Sequence, residues 1–189
     1  MNKSLSVLLI LLCCACDTNY LPKPKAYYRI DFPEKKYLRY EGTCPFSFEF
    51  PYQSILDTKT QSTQNPCWFN IHYPQYNATV HLSFKQITQE DNLAKLIEDT
   101  RNLAMKHVVK ANKINEAYFT DELKNVHGLT YDFEGNTASN FQFFLTDSTH
   151  YFFRGAMYFN MQPNQDSLAP VTAYIKQDLV HLMESFEWR

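Results

Sequence analysis

Asp147, Ser148, Thr149 and His150 carry the letters of a nucleophilic triad at four consecutive positions. Triad members ordinarily come from separate segments, because nucleophile, base and orienting acid must converge in space. Neighbours in a tight turn are better read as turn formers. Asp132 and Glu134 share one face of an expected strand, where paired carboxylates can do acid–base work or hold calcium. A solvated sheet face accounts for them equally well. His72 and His81 fall at outward positions of two adjacent expected strands. They could face one another across a metal ion, or be ordinary exposed polar positions. His107 lies on the apolar side of an expected helix and reads as a boundary histidine rather than a ligand. None of the 6 histidines pairs with another at metal spacing on one helix, and no G-x-S-x-G, H-E-x-x-H or P-loop pattern occurs. No catalytic residue, metal or other cofactor is assigned.

The side chain with the clearest chemistry is Cys16. Met1-Asn2-Lys3 sets one positive charge before the apolar run Ser4–Leu12, and Cys13-Cys14-Ala15-Cys16-Asp17 follows. A permanent membrane span needs roughly 20 apolar residues, so this run suits the h-region of a secretory signal peptide instead. Ala15-Cys16 is similar to the end of a bacterial lipobox, with Cys13 standing where Leu is usual. In such a site the Cys thiol receives diacylglycerol, cleavage falls before the Cys, and the new amine is acylated. Two or more acyl chains hold a protein firmly on a bilayer, so the membrane is the first expected partner. Pro22 and Pro24 favour an extended chain after Cys16. Residues 1–15 therefore read as a lipoprotein signal peptide, 16–26 as the lipidated Cys and a tether, and 27–189 as one domain. An ordinary signal peptide or a buried N-terminal helix is the alternative.

Composition supports an exported domain with a sizeable core. The chain has 189 residues, a formal net charge of -2, and an excess of aromatics, with 15 Phe and 13 Tyr. Aromatics favour strands and bury large areas. No basic face suggests a nucleic-acid partner. Of the 5 cysteines, cleavage and lipidation leave Cys44 and Cys67, an even pair in an oxidising compartment. A disulfide between them is expected; two free buried thiols are the alternative. One geometric objection stands. Both cysteines precede expected strands, Phe46–Phe50 and Trp68–Tyr73, and antiparallel neighbours would place the two starts at opposite ends.

The elements follow from periodicity. Phe46, Phe48 and Phe50 alternate with polar residues, as do Phe69, Ile71 and Tyr73, and Val80, Leu82 and Phe84. Pro74-Gln75-Tyr76-Asn77 reads as a hairpin turn. From about Glu90 to Lys110 the period becomes helical, with Thr88 and Asp91 as a capping box and Lys106, His107 and Lys110 near the negative end. Strands resume at Ile114–Phe119, Gly128–Gly135, Asn140–Leu145 and His150–Phe159. The last is apolar on both faces, the mark of a central buried strand. Gly155 within it signals a bulge or a close backbone approach. Asp166-Ser167 caps a second helix with Pro170 in its first turn and Val171, Tyr174, Ile175, Leu179, Leu182 and Phe186 on its apolar face. The short links between strands predict an α+β fold, a mainly antiparallel sheet with two covering helices. The order is similar to the Mog1/PsbP-like architecture, an analogy of fold alone.

Several longer stretches resemble one family. They are Tyr20-Leu21-Pro22-Lys23-Pro24-Lys25 with Tyr28-Arg29-Ile30-Asp31, Cys44 to Phe50, Lys106-His107, and the block Phe143 to Thr149, Arg154 to Asn160, Pro163-Asn164 and Asp166 to Pro170. Together they resemble GldD, a gliding-motility lipoprotein family of the Bacteroidota. The resemblance implies an envelope lipoprotein needed for gliding and associated with the type IX secretion apparatus, with other gliding or secretion proteins as partners. In a non-gliding relative the role would be secretion. It implies no enzymatic activity and carries over only Cys16, as the lipidation site. The rival expectation is a periplasmic small-ligand-binding protein or an unrecognised hydrolase. The expected location is the outer membrane, facing the periplasm. Asp17 after the lipidated Cys makes the inner membrane the alternative, by the sorting habit of enteric bacteria.

Replacing Cys16 by Ser is expected to leave precursor or mislocalised protein. Acyl labelling and membrane fractionation after a high-salt wash check this. Wild-type-like membrane retention with no difference in label would refute the anchor.

Overall fold

The computed structural model describes residues 30–58 and 66–189. The expected signal peptide, the candidate lipidation site Cys16 and the expected tether lie outside them. Among the described residues ten strands and two α-helices follow in order: β1 (Tyr37–Tyr40), β2 (Phe46–Pro51), β3 (Ile55–Asp57), β4 (Phe69–Tyr73), β5 (Ala78–Gln86), α1 (Leu93–Met105), β6 (Ala111–Asp121), β7 (Val126–Gly135), β8 (Phe141–Thr146), β9 (Tyr151–Phe159), α2 (Gln165–Ser185) and β10 (Glu187–Trp188). Seven strands form one antiparallel sheet in the order β3-β4-β5-β9-β8-β7-β6, and three form a smaller one, β1-β2-β10. The fold is α+β, with antiparallel sheets and two helices.

Alternation decides which side chains meet. On one face of the large sheet Ile71, Val80, Leu82, Phe143, Leu145, Phe153 and Met157 form a buried core with Phe46, Phe48 and Phe50 of β2 and the apolar stripe of α2. The small sheet and α2 thus share one layer. α2 also extends over the β7 side, where Lys176 pairs with Asp132. On the opposite face Leu96 and Ala104 of α1 pack on Tyr131, Phe133, Phe144 and Phe152. β9 is the middle strand of seven, which explains why both its faces are apolar.

Gly155 resolves as a close approach. β9 keeps register with β5 and β8 past it, and an added Cβ would fall 2.3 Å from the Phe143 ring. In the turn before β9, the buried Asp147 carboxylate accepts the backbone N–H groups of Thr149, His150 and Tyr151 at 3.0, 2.8 and 2.8 Å. Ser148 takes the left-handed conformation, with φ 69°.

Both helices begin elsewhere than the sequence suggests. α1 starts at Leu93 with Asn92 as its cap, accepting from the Lys95 N–H at 3.0 Å. Thr88 Oγ1 instead accepts from the Asp91 N–H at 3.0 Å in a turn before the helix. α1 ends at Met105, and the β-branched pair Val108-Val109 continues as a short 3-10 turn, Val108–Lys110. The cap of α2 is Asn164 rather than Asp166-Ser167, so Pro170 sits a turn deeper than expected. Three short strands escape the periodicity reading: β1, β3 and β10. Glu187 and Trp188 pair with β2, and the Arg189 N–H donates to the Pro45 carbonyl at 2.9 Å.

The Cys44 and Cys67 sulfurs are bonded, with their Cα atoms 5.8 Å apart. The objection from strand direction falls away because β2 and β4 belong to different, stacked sheets. A link closing a separation of 23 residues restricts the unfolded chain by about 3 kcal/mol. Changing either Cys to Ser should lower the melting temperature by several degrees and speed proteolysis between Ser54 and Pro66. Thiol titration of the denatured, periplasmically produced protein without reductant should find neither thiol free; two free thiols would exclude the bond.

Candidate functional site

The constellations singled out by sequence separate in space. His72 pairs in register with Thr79 and His81 with Asn70, so the two rings lie diagonally rather than opposite. His72 Nδ1 meets Thr79 Oγ1 at 3.1 Å and its Nε2 lies 3.5 Å from Asp57, while His81 Nδ1 meets Asn70 Oδ1 at 2.7 Å. Among the described residues no three His, Cys, Asp or Glu side chains converge as a metal site. Asp132 pairs with Lys176, whereas Glu134 lies 3.7 Å from Lys113. Asp147 is committed to its turn. Burial alone would raise its carboxyl, but three backbone N–H bonds and His150 hold it below the usual carboxylate range.

A site the sequence reading missed lies on the α1 face. α1 covers the β7–β9 part of that face and leaves a cleft of about 780 Å³ above β4 and β5. This volume falls within the ~300–1,000 Å³ of ordinary ligand sites. Its apolar wall includes Trp68, Leu96, Leu103 and Phe152. Its polar groups include Asn70, His81, Lys85, Asp99, Lys106 and Arg154.

Arg154 is the unusual member. β9 places it between Ser83 of β5 and Phe144 of β8 in register. Nη2 donates to Gln142 Oε1 at 2.7 Å. Gln142 is fully buried, and both its Nε2 and the Arg154 Nε are shut from solvent with no hydrogen-bond partner. Among the described residues no carboxylate forms an ion pair with Arg154. Burial lowers the guanidinium's affinity for its proton, with Tyr158 opposing the shift. Arg154 is half-buried, and a cation partly withdrawn from water costs free energy unless something compensates it. His81 and His107 feel the same field. Burial first, then the charge of Arg154 and, for His81, the neighbouring His72, holds both below the usual histidine range. His107 packs edge-on to Phe133 and Tyr158, so it is the boundary histidine the helix pattern implied. The one signal that could have revealed the site is Arg154 itself, a charge at the centre of a strand apolar on both faces.

The cleft offers positive charge, donors and an apolar wall. His81 spends Nδ1 on Asn70, so the ring is not oriented by a carboxylate as a general base would be. The arrangement suits binding better than nucleophilic chemistry.

Comparison with known proteins gives a family and a fold. A family model described as gliding motility lipoprotein GldD matches residues 17–188. No curated protein matches the chain in sequence. Among solved structures, the solution structure of cyanobacterial PsbP (CyanoP) from Synechocystis is similar, with a TM-score of 0.50 and 12% identity, over 83% of this chain and 95% of that one. At that identity the likeness concerns fold alone, and it is the PsbP-like architecture.

The two depressed histidines set a pH dependence. As pH falls below the ordinary histidine value of 6.5, the unfolded chain binds protons that folded His81 and His107 resist. Stability is therefore full above that value and declines as pH falls toward their folded pKa values. Asp178 runs the other way, because burial raises its carboxyl above 3.8 and stability falls as pH rises through that shifted range. Urea unfolding at about pH 7.5 and about pH 5.5 should show lower stability at the acid value from the histidines. The double variant His81→Gln, His107→Gln should lessen that loss, and an unchanged pH response in the variant would refute the assignment.

Proposed function

The chain belongs to the gliding motility lipoprotein GldD family, and from that membership we propose that it is a non-enzymatic envelope component acting by binding partners of the gliding machinery and the associated type IX secretion apparatus. The family match across residues 17–188 carries this reading. Cys16 bears the lipid, residues 16–26 form the tether, and residues 27–189 form the domain that is held near its membrane. Among the described residues no helix is long and apolar enough to cross a membrane. The anchor sits in the outer membrane and the domain faces the periplasm; an inner-membrane anchor is the alternative that density fractionation distinguishes.

The edge strand β6 supports a role in partner binding. It ends the large sheet, spans eleven residues and has no second neighbour among the described residues. Tyr118 on it is 92% exposed, and Leu123 in the following turn is 100% exposed. A long uncovered edge is a ready template for pairing with another chain unless it is protected. The second reading, a periplasmic small-ligand-binding protein, has the α1 cleft in its favour.

Affinity purification of the full-length lipoprotein from native membranes should recover gliding or secretion components. Tyr118→Lys should reduce that recovery while leaving the melting temperature within about 2 °C, since surface changes of this kind typically alter stability by less than about 0.5 kcal/mol. Recovery of an isolated monomer with no gliding or secretion component, whether or not a metabolite is bound, would overturn the leading reading.

A further inference from the structure

We propose that the cleft beneath α1 binds a small amphipathic monoanion, a carboxylate carried on an apolar body, with Arg154 as the residue that recognises its charge. The proposal does not depend on the partner-binding reading, because the cleft and the β6 edge lie in different parts of the sheet.

Charge sets the head group. A guanidinium has five N–H donors in a planar fork. The guanidinium contacts Gln142 Oε1 through Nη2 and has the Tyr158 hydroxyl as a second partner, while Nε is left without one. The remaining Nη donors belong to a side chain that lines the cleft. A planar carboxylate accepts such a fork with two parallel bonds, and these charge-assisted bonds are the strong ones. A single half-buried cation matches a single negative charge. Lys85 is already engaged with Asp91 at 3.3 Å, and Asp99 on the helix wall repels a second charge. Lys106 remains at the end of α1 as a weaker second attraction for the anion.

The wall sets the body. Trp68, Leu96, Leu103 and Phe152 surround the volume with apolar surface. The Trp68 indole N–H donates to the Phe84 carbonyl at 3.0 Å, which fixes the orientation of the ring in the wall. Ring and acyl bodies both satisfy this wall, so two probes separate them: 4-phenylbutyrate and octanoate.

The test is binding of each probe to the full-length protein in lipid nanodiscs. It is followed by chemical shifts of the His81 and His107 rings, with empty nanodiscs as the blank. The amides of the same two acids serve as neutral controls. At least one carboxylate should saturate and shift the His81 ring, with affinity on the order of tenfold or more above its amide, the worth of a hydrogen-bonded charge. Arg154→Gln should abolish that preference and leave the amide's affinity unchanged. Lys106→Gln should weaken the carboxylate by only about twofold, as an exposed charge does. Should Arg154→Gln fail to fold, Leu103→Trp decides. Leu103 is 41% exposed on the helix, so the larger ring is tolerated while filling the cleft, and both probes should then lose binding. Saturation by neither carboxylate, equal affinity for acid and amide, or binding retained in Leu103→Trp would overturn the proposal. If 4-phenylbutyrate alone binds, the body is aromatic; if octanoate alone binds, it is acyl.

Discussion

The structure depends on how one face of the large sheet is covered. Seven twisted strands present Ile71, Val80, Leu82, Phe143, Leu145, Phe153 and Met157 on that face, and helix α2 is too narrow to bury them all. β2 closes the remainder. The Phe46 ring meets those of Tyr40, Phe48, Phe69, Phe84, Phe153 and Phe186, with centroids 5.0–6.1 Å away. Removing such a ring costs about 3–5 kcal/mol, a large share of the roughly 5–15 kcal/mol that holds a domain together. Everything that borders β2 keeps it in place. β1 and β10 satisfy its two edges, Ser185 Oγ accepts the Glu49 N–H at 2.9 Å, and the Cys44–Cys67 bond ties its start to β4.

The two faces therefore carry different duties. The β2 face is sealed and apolar. The other face has one helix of thirteen residues over a seven-stranded sheet, and the strands respond with composition. Where α1 lies, the inward residues are Tyr131, Phe133, Phe144 and Phe152. Where it does not, they are Asn70, His72, Thr79, His81 and Ser83, which tolerate water. Arg154 stands at the border between the two regimes. Its aliphatic stem suits the covered side and its guanidinium suits the open one, as long cationic side chains do at apolar edges. The cleft is thus a consequence of unequal coverage rather than of a loop or an insertion.

How much of this was legible follows the range of the interactions. β2, β4, β5, β7 and β9 announce themselves, because a strand buried on one or both faces writes its burial into alternate residues such as Phe69, Ile71 and Tyr73. The central position of β9 was legible for the same reason. β1, β3 and β10 are not, because two to four residues carry no period and exist only through partners far away in sequence. The helix ends were misplaced at Thr88 and Asp166 because several Asx and Thr residues compete for each cap, and the winner is fixed by the direction in which the chain leaves the sheet. The cleft was illegible for a related reason. Trp68, Leu103 and Arg154 come from three elements, and only the register of β5 with β9 brings them to one volume. Register also decides the histidine pair between its two readings: a shift of two residues sets the His72 and His81 rings diagonally rather than opposite. The proposed lipidation of Cys16 is the converse case, since that expectation rests entirely on the local pattern around Ala15.

An anchored domain of this kind changes the energetics of binding. A lipid-held tether removes one partner's free diffusion, and a second binding event then becomes intramolecular at an effective concentration set by tether length. Under the proposed anchor, contacts too weak to persist in solution would persist at the membrane. A modest edge such as β6 could then serve where a free protein would need a standard interface of ~1,600 Å². The same argument bears on the cleft. A ligand site on the face opposite β2 leaves the keystone packing untouched, so occupancy would have to act through α1, the single helix that roofs it. α1 is the less buried of the two described helices, with Leu96, Thr100 and Ala104 as its buried residues. An element held by so few buried contacts is where opening costs least.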